Sequence, residues 1–309
     1  MAGKPPSQIM SYRGRLAPSP TGYLHIGHAR TFWTASERAR EAGGTLVMRM
    51  EDLDPDRSRT VYAEAAMQDL RWLGIHWHEG PDIGGPFTPY TQSQRRATYL
   101  AMWRSLLERG CIYPCRCSRK DLQTALSAPH EQGAADRDAL DDEPIYPGTC
   151  RPSPEPTSPA HQPVEPNIDS PDGINWRFRV PDGEAVEFVD ADLGPQRFVA
   201  GTDFGDFVVW RRDGVPSYQL ACVADDAAMA ITEVVRGTDL LKSTARQILL
   251  YRALGWKPPA WFHCGLVVDE SGRRLAKRHD ALSLHILRQR GLAPKDVLFG
   301  DVGRLFADG

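Results

Sequence analysis

The chain has 309 residues, of which 41% are hydrophobic and 25% are charged, and its formal net charge is −3. This composition is typical of a globular protein with a large core and excludes a polycation, so any nucleic acid must contact local basic patches. No apolar run reaches the ~18 residues of a membrane span, and residues 1–10 lack the apolar core of a signal peptide. Six cysteines, three of them within 111–117, do not resemble a secreted disulfide framework. We therefore expect a cytosolic protein that contacts no membrane.

The first 110 residues alternate between strand-like and helix-like segments. Short β-type runs are followed by apolar residues at helical spacing, and glycines end the helical segments. The predicted elements are a strand at 12–16, a helix at 29–39, a strand at 45–50, and helices at 61–73 and 95–110. This order predicts a parallel α/β sheet with right-handed crossovers.

The pattern changes at Cys111. From there to about Pro171 we predict irregular structure, because nine of the 25 prolines lie between Pro144 and Pro171 and proline supports neither helices nor central strands. The proline-rich part is interpreted as an extended, partly disordered loop. Order is predicted to resume with strands at 176–180 and 186–189, sheet or core material at 207–210, 218–223 and 229–235, and helices at 240–254 and 281–290.

The sequence His25-Ile26-Gly27-His28 stands at the start of the first helix, after a strand and a loop of Pro, Ser and Gly. A helix N-terminus presents unpaired N–H groups and the positive end of the helix dipole, so it attracts anions. Two imidazoles there can hydrogen-bond a phosphate, and Gly27 lets a planar base approach the backbone. The motif therefore favours a site for the phosphates of ATP, although a histidine at this position can also simply cap the helix.

Further motifs accompany the two histidines, in order, along residues 12–280. They are Arg15-Leu-Ala-Pro-Ser-Pro-Thr-Gly before the histidines, RMEDLDP at 49–55, the paired segments 218–226 and 231–240, and RLAKR at 274–278. Together they resemble the catalytic core of the class I aminoacyl-tRNA synthetases, specifically the glutamyl branch. In that family the histidine motif is the HIGH signature, and the segment 274–278 takes the place of the KMSKS loop.

The resemblance implies an α/β fold, in which a Rossmann-like parallel sheet binds the nucleotide and a zinc-containing insertion interrupts it. The implied division is 10–110 for the first half of the catalytic domain, 111–200 for the insertion with its proline-rich loop, and 201–309 for the second half with the KMSKS-like loop and a short helical tail. The implied reaction is attack of an amino-acid carboxylate on the α-phosphate of ATP, with Mg²⁺ as the partner of the phosphates. Such a reaction needs positioning and charge stabilisation more than covalent work.

The residues that the resemblance assigns to ATP are His25, Gly27, His28, Arg274 and Lys277, with His25, His28 and Lys277 as the catalytic groups. The histidines are expected to contact the phosphates from the helix end, and Lys277 to neutralise the leaving pyrophosphate from the other side. In the loop, Ala276 stands where a serine is common and Arg274 stands for the first lysine. These departures predict slower activation but do not imply its loss.

The residues that the resemblance assigns to glutamate are Arg15, Ala17, Ser19, Glu51, Tyr218 and Arg236. Glutamate carries two carboxylates and one ammonium, and arginine grips a carboxylate through two parallel hydrogen bonds. Arg15 and Arg236 therefore suit the carboxylates, in an order that the sequence leaves open, and Glu51 suits the ammonium. Alternatively, the two arginines form ordinary surface ion pairs.

The residues that resemble the zinc site in the insertion of some glutamyl enzymes are Cys115, Cys117, Tyr146 and Cys150. One zinc ion per chain, in a tetrahedral shell, would staple a segment that is too rich in proline to build its own core. Tyr146 is the unusual ligand, and the alternatives for its place are Cys111 and His130. The remaining alternative is three reduced cysteines without a metal.

Only 32 residues follow Lys277, which leaves no room for the helical anticodon-binding region of a full glutamyl-tRNA synthetase. The shortened architecture resembles a paralogous branch that attaches glutamate to the queuosine base in the anticodon of tRNA(Asp). The expected partners are then L-glutamate, ATP and queuosine-containing tRNA(Asp), bound by a monomer. Two alternatives stay open, namely a compact catalytic fragment that charges tRNA(Glu) and a non-catalytic RNA-binding relative. The presence of Glu51, His28, Arg236 and Lys277 disfavours the second.

Overall fold

The computed structural model describes residues 11–118, 144–152, 169–267 and 283–300. Within these ranges the helices are α1 (Ile26–Glu41), α2 (Thr60–Trp72), α3 (Arg96–Glu108), α4 (Tyr218–Ala228), α5 (Leu241–Leu254), α6 (Leu284–Gln289) and α7 (Pro294–Phe299). The strands are β1 (Arg13–Leu16), β2 (Thr45–Met48), β3 (Ile112–Cys115), β4 (Asn175–Phe178), β5 (Ala185–Asp190), β6 (Gly194–Val199), β7 (Phe207–Trp210), β8 (Glu233–Gly237) and β9 (Ala260–Cys264). In this described part, no helix is both long and apolar enough to span a bilayer.

Most predicted elements are confirmed within a few residues, and one prediction is wrong. Residues 218–223 begin helix α4 and are buried from Leu220, so the prediction of sheet or core material holds as core. The helix is buried almost all round from Leu220 onwards, and a continuous apolar run of this kind does not separate a helix from a strand. Strand β3 lies in the segment predicted to be irregular, and it pairs with β4, more than 60 positions away. A strand of four residues that contains Pro114 gives little local signal, because its pairing partner is remote.

The chain groups into two compact units. The first comprises Met1–Thr91, Met229–Arg236 and Pro259–Gly309, and the second comprises Gln92–Ala228 and Gly237–Pro258. These boundaries differ from the division at 110 and 200, which stays a prediction. The region from 119 to 143 and most of the proline-rich segment, 153–168, lie outside the described residues.

The first unit contains the predicted parallel sheet. Strands β1 and β2 pair in parallel, with Arg13 opposite Thr45 and Leu16 opposite Met48, and α1 forms the crossover between them. The backbone N–H of Thr232, next to β8, donates to the carbonyl of Arg13 at 2.9 Å. Parallel strands place their carboxyl ends at one edge of the sheet, and in open α/β sheets that edge is where ligands bind. The motifs at Arg15 and after β2 are therefore brought to one edge.

The second unit is built from antiparallel sheets and helices. Strands β3, β4 and β7 form one sheet, and β5 and β6 form a hairpin. Its core includes an edge-to-face contact between Trp103 and Trp176, whose ring centroids lie 5.0 Å apart. Asp225 of α4 is fully buried and accepts hydrogen bonds from Gln92 Nε2, Arg95 Nε and the Tyr99 hydroxyl. This satisfied carboxylate ties α3 to α4, since a buried charge is tolerated only when it is paired.

Ala230 is the only residue other than glycine with a positive φ (54°) in the part of the chain that the structure describes. The left-handed conformation brings Cβ close to the following carbonyl oxygen, and glycine avoids this cost. We expect Ala230→Gly to raise the free energy of unfolding by about 0.5–1 kcal/mol in urea denaturation. Ala63→Gly, inside α2, is the control and should lower stability by about as much. Destabilisation by both variants would contradict the prediction.

Candidate active site

The two histidines of the HIGH-like motif cap helix α1. His25 is extended, with φ −117° and ψ 175°, and its Nδ1 accepts a hydrogen bond from the Gly27 N–H at 3.1 Å. His28 Nδ1 accepts one from the His25 N–H at 3.2 Å, and the two ring centroids lie 3.7 Å apart. Since both Nδ1 atoms accept, each neutral ring carries its proton on Nε2. The capping interpretation is therefore correct, and it leaves Nε2–H as the donor of each neutral ring, while the predicted contact of these groups with phosphate stays a prediction.

Gly27 is required by the position of the His25 ring. A Cβ at residue 27 would lie 2.9 Å from His25 Cε1 and 3.1 Å from Nδ1. Any other residue would displace the imidazole that caps the helix. This is a different reason for the glycine from the predicted approach of a base, which stays a prediction.

Burial lowers the pKa of His28 to about 3, and the neighbouring His25 acts in the same direction. The ring is therefore neutral at physiological pH, and its predicted role toward phosphate would be that of a hydrogen-bond donor rather than of a cation. A neutral His28 ring can keep the hydrogen bonds of the cap without electrostatic repulsion of the neighbouring His25 ring.

The depressed pKa of His28 predicts how stability depends on pH. Between about 6.5 and 3, the unfolded chain binds a proton at this residue and the folded chain does not, so stability falls as the pH drops. We expect wild type to lose about 1–2 kcal/mol more than His28→Asn between pH 7 and pH 5, measured by urea denaturation. Asparagine keeps an acceptor for the His25 N–H but does not titrate. Equal losses in the two proteins would contradict the pKa of His28.

Arg15 and Glu51 lie at the carboxyl ends of β1 and β2. Arg15 is buried, and its Nη1 donates to the carbonyl of Val235 at 2.8 Å. Glu51 accepts from Arg49 Nη2 at 2.9 Å, and its backbone N–H donates to the Pro18 carbonyl. Arg49 is fully buried, so it fixes the orientation of the Glu51 carboxylate. No role for Arg49 is predicted from the sequence, although Arg49 is the first residue of the motif RMEDLDP at 49–55.

Arg236 directly follows Val235 on β8 and is also buried. Its Nε donates to His263 Nε2 at 3.2 Å, and its guanidinium lies 4.9 Å from the centroid of the Trp261 ring. The alternative that Arg15 and Arg236 form surface ion pairs is therefore wrong. His263 and Trp261 were missed by the sequence analysis, because two alternate residues of a short strand form no motif until β9 lies beside β8.

For the remaining predicted ligands of glutamate and ATP, the structure gives the position in the chain and the burial of some and does not describe others. Ala17 is half-buried and Ser19 is exposed in the loop after β1, whereas Tyr218 is the first residue of α4 in the second unit. Arg274 and Lys277 lie outside the described residues, as does the rest of 268–282. Their roles stay predictions.

Residues 283 and 284, the first described residues after 268–282, lie beside the histidine motif. Ser283 forms an antiparallel bridge with His25, and the Leu284 N–H donates to the Leu24 carbonyl at 2.7 Å. Ser283 is the first described residue after 268–282, the segment that contains Arg274 and Lys277.

The four predicted metal ligands lie together in the second unit. The sulfur atoms of Cys115, Cys117 and Cys150 all lie within 4.8 Å of one another. The Tyr146 hydroxyl is 3.5 Å from the sulfurs of Cys115 and Cys117, and the Cys117 and Cys150 sulfurs are 3.6 Å apart. A tetrahedral zinc ion with Zn–S bonds of about 2.3 Å has donor–donor edges of roughly 3.5–3.8 Å. The donors therefore fit a zinc ion.

Cys111 and His130 are the two alternatives for the fourth metal ligand, and only Cys111 lies among the described residues. The Cys111 sulfur lies 3.7 Å from the carbonyl of Arg109 and is not part of the cysteine group found among the described residues. His130 lies outside the described residues.

The model of the class I tRNA synthetases (E and Q), catalytic domain, matches residues 11–307. The chain belongs to this family. Named relatives of this synthetase include the glutamyl-Q tRNA(Asp) synthetases of Nitratidesulfovibrio vulgaris, 47% identical over 92% of this chain and 83% of that one, and of Symbiobacterium thermophilum, 48% identical over 92% and 84%. Glutamate–tRNA ligase 2 of Nitrosococcus oceani is 42% identical over 91% of this chain and 56% of that one.

Solved structures agree with the family assignment. The crystal structure of a glutamate tRNA ligase from Elizabethkingia meningosepticum, in complex with its amino acid, matches with a TM-score of 0.74 and 26% identity. The match covers 94% of this synthetase and 60% of that ligase, so the chain spans less than two thirds of its length. The family is a family of ligases, and its α/β fold with a parallel sheet confirms the predicted fold class at that level.

Arg177 is the feature of the synthetase's cysteine cluster that sequence analysis missed. Its Nε lies 3.3 Å from the Cys115 sulfur, and its guanidinium lies 4.0 Å from the centroid of the Tyr146 ring. Burial raises the pKa of Cys117 to about 11 and also raises that of Tyr146. Without a metal, Cys117 and Tyr146 keep their protons at neutral pH, so metal binding by these two donors would release protons.

Proposed function

We propose that this synthetase activates L-glutamate with ATP and transfers the glutamyl group to the queuosine base in the anticodon of tRNA(Asp). The observation that carries the choice of amino acid is the pair of buried arginines, Arg15 and Arg236. Arg15 is hydrogen-bonded to the residue that precedes Arg236, so two fixed cations lie at one edge of the sheet. A substrate with two carboxylates is the chemistry that such a pair suits.

In the first step, an α-carboxylate oxygen of glutamate attacks the α-phosphorus of ATP. The bond between the α-phosphorus and the bridging oxygen breaks, and pyrophosphate leaves with the electron pair. The Nε2–H groups of His25 and His28 donate to phosphate oxygens, and Lys277 neutralises the leaving group. Glu51, oriented by Arg49, accepts hydrogen bonds from the substrate ammonium. Mg²⁺ enters as the partner of ATP and supplies charge neutralisation.

In the second step, a hydroxyl oxygen of the cyclopentene ring of queuosine attacks the carbonyl carbon of glutamyl-adenylate. The bond between the carbonyl carbon and the phosphate oxygen breaks, AMP leaves with the electron pair, and the hydroxyl proton passes to the phosphate of AMP. Anticodon loops present unstacked bases, which protein pockets recognise well. The choice of this acceptor is supported by the names of the two relatives at 47% and 48% identity, both glutamyl-Q tRNA(Asp) synthetases.

The zinc ion, held by Cys115, Cys117, Tyr146 and Cys150, has a structural role in this proposal. Four protein donors complete a tetrahedral shell and leave no open position for a substrate. The ion would tie the turn at Tyr146–Cys150 to strand β3, whose last residue is Cys115.

Transfer of labelled glutamate tests the proposal. The acceptors are tRNA(Asp) with queuosine, tRNA(Asp) without queuosine, and tRNA(Glu), each at the same concentration. We expect label only on queuosine-containing tRNA(Asp), in an ester that mild base hydrolyses. Labelling of tRNA(Glu) would instead show a compact glutamyl-tRNA synthetase. Absence of any label together with absence of glutamate-dependent ATP–pyrophosphate exchange would contradict the whole proposal.

The second candidate is that compact glutamyl-tRNA synthetase, which the match at 42% identity to a glutamate–tRNA ligase favours. Both candidates share the activation step, so only the acceptor separates them. The non-catalytic RNA-binding alternative requires loss of the activation step, and pyrophosphate exchange excludes or supports it directly. The cytosolic location and the monomeric state stay predictions.

A further inference from the structure

Asp69 is fully buried on α2, and the proposed reaction does not use it. Neither of its carboxylate oxygens has a hydrogen-bond partner among the described residues. Arg288 of α6 forms an ion pair with it, with 3.0 Å between Arg288 Nε and Asp69 Oδ1. A buried carboxylate costs free energy unless a charge compensates it. The ion pair therefore holds α6 against α2 at a buried carboxylate that would be costly without a compensating charge.

Helix α6 presents two cationic or titratable groups to Asp69. Burial raises the pKa of Asp69, while Arg288 and His285 act in the opposite direction. The imidazole of His285 stacks on Tyr23, with ring centroids 4.6 Å apart and planes 12° from parallel. Its Nδ1 is buried without a hydrogen-bond partner in the described part of the chain. The helix is thus held on one side by Asp69 and on the other by Tyr23, just before the histidine motif.

The first residues of α6 contact the start of α1. Ser283 caps α6 by accepting from the Ile286 N–H, and it forms the bridge with His25. The Leu284 N–H donates to the Leu24 carbonyl at 2.7 Å. Leu24 and His25 directly precede α1, so a shift of α6 moves the backbone that carries the His25 ring.

We propose that Asp69 is a positioning residue for His25 and His28, acting through Arg288 and helix α6. Asp69 holds Arg288, α6 holds the backbone at Leu24 and His25, and that backbone sets the cap in which both imidazoles are oriented. The inference rests on the proposed function for the role of the two histidines in ATP activation. Asp69 stands more than 40 positions after the two histidines in the sequence and touches no substrate.

The test is Asp69→Asn, which keeps the size of the side chain and removes its charge. Arg288 is partly exposed and can turn to water, so we expect the variant to fold. In glutamate-dependent ATP–pyrophosphate exchange, kcat/KM for ATP should fall about tenfold, since a misplacement of about 1 Å can cost about 100-fold and the displacement expected here is smaller. The KM for glutamate should change less than about twofold, because Arg15, Glu51 and Arg236 lie on or after strands rather than on α6.

Three variants separate positioning from loss of stability. Arg71→Gln removes an ion pair with Asp82 from the same helix α2 without touching α6. Ala63→Gly weakens α2 without changing a charge. Arg288→Lys keeps a cation near Asp69 and should retain most of the exchange. Wild-type kinetics in Asp69→Asn would overturn the proposal, and so would an equal loss in Ala63→Gly at matched folded fraction.

The imidazole signals of His25 and His28 in NMR spectra give a readout that is independent of turnover. They should shift in Asp69→Asn and stay in place in Arg71→Gln. Unchanged signals in Asp69→Asn would overturn the positioning role even if exchange falls. A wild-type protein without glutamate-dependent exchange would instead contradict the proposed function, and the NMR comparison would still decide the positioning role.

Discussion

Replacing Arg236 with leucine is expected to abolish glutamate-dependent ATP–pyrophosphate exchange at ordinary substrate concentrations. The guanidinium is buried, braced by His263 and stacked near Trp261, so no water replaces it when it is removed. A substrate carboxylate left unpaired in such a site costs about 4 kcal/mol, which corresponds to roughly a 10³-fold loss of kcat/KM for glutamate. Steady-state exchange at varied glutamate concentrations measures this loss directly.

The matched control is Arg252→Leu, because Arg252 is exposed and pairs with Glu184 far from any predicted ligand in the sequence. This variant should keep wild-type kinetics. Circular dichroism melting should show that Arg236→Leu is folded, since it removes a buried charge and adds an apolar side chain of smaller size. Exchange with an unchanged KM for glutamate in Arg236→Leu would remove Arg236 from the site.

Replacing Cys150 with serine is expected to release the zinc ion and to destabilise the second unit. Serine is a poor zinc ligand, and Cys117 and Tyr146 would regain their protons once the ion leaves. We expect the bound zinc to fall from about one equivalent to well below half, and the melting temperature to fall by about 10 °C. Elemental analysis of untagged protein gives the metal content, and calorimetry gives the melting temperature.

Cys111→Ser is the control for this experiment, because Cys111 lies in the same part of the chain but outside the cluster. It should keep both its zinc and its melting temperature. Wild-type protein with less than about half an equivalent of zinc would contradict the site itself. Retention of zinc by Cys150→Ser together with its loss from Cys111→Ser would show that Cys111, rather than Cys150, is a zinc ligand.

The features that the sequence predicts best are those whose signals lie within a few consecutive residues. The histidine cap lies within four consecutive residues, and the glycine between the histidines is needed by the ring beside it. The burial of Arg15 was not predictable in the same way. It depends on strand β8, which is more than 200 positions away and supplies the carbonyl of Val235. Sequence motifs therefore predict a role for Arg15 and Arg236, which stays a prediction, while the pairing of distant strands explains their burial.

Residues that act through a partner leave no motif of their own. His263 and Arg177 each contact a predicted site residue, but each reaches it across a sheet. Asp69 pairs with a residue 219 positions away, and nothing in the helix pattern distinguishes it from a surface aspartate. The sequence leaves sheet and buried helix open at 218–223 for the same reason, because the burial of residues 220–226 in α4 comes from the rest of the second unit.

The donors of the cysteine cluster come from two short stretches, and Cys117 and Tyr146 are 29 positions apart in the sequence. The entropy of closing such a loop depends only weakly on its length, and doubling it costs about 0.6 kcal/mol. Evolution can therefore lengthen or shorten this interval without disturbing the metal geometry.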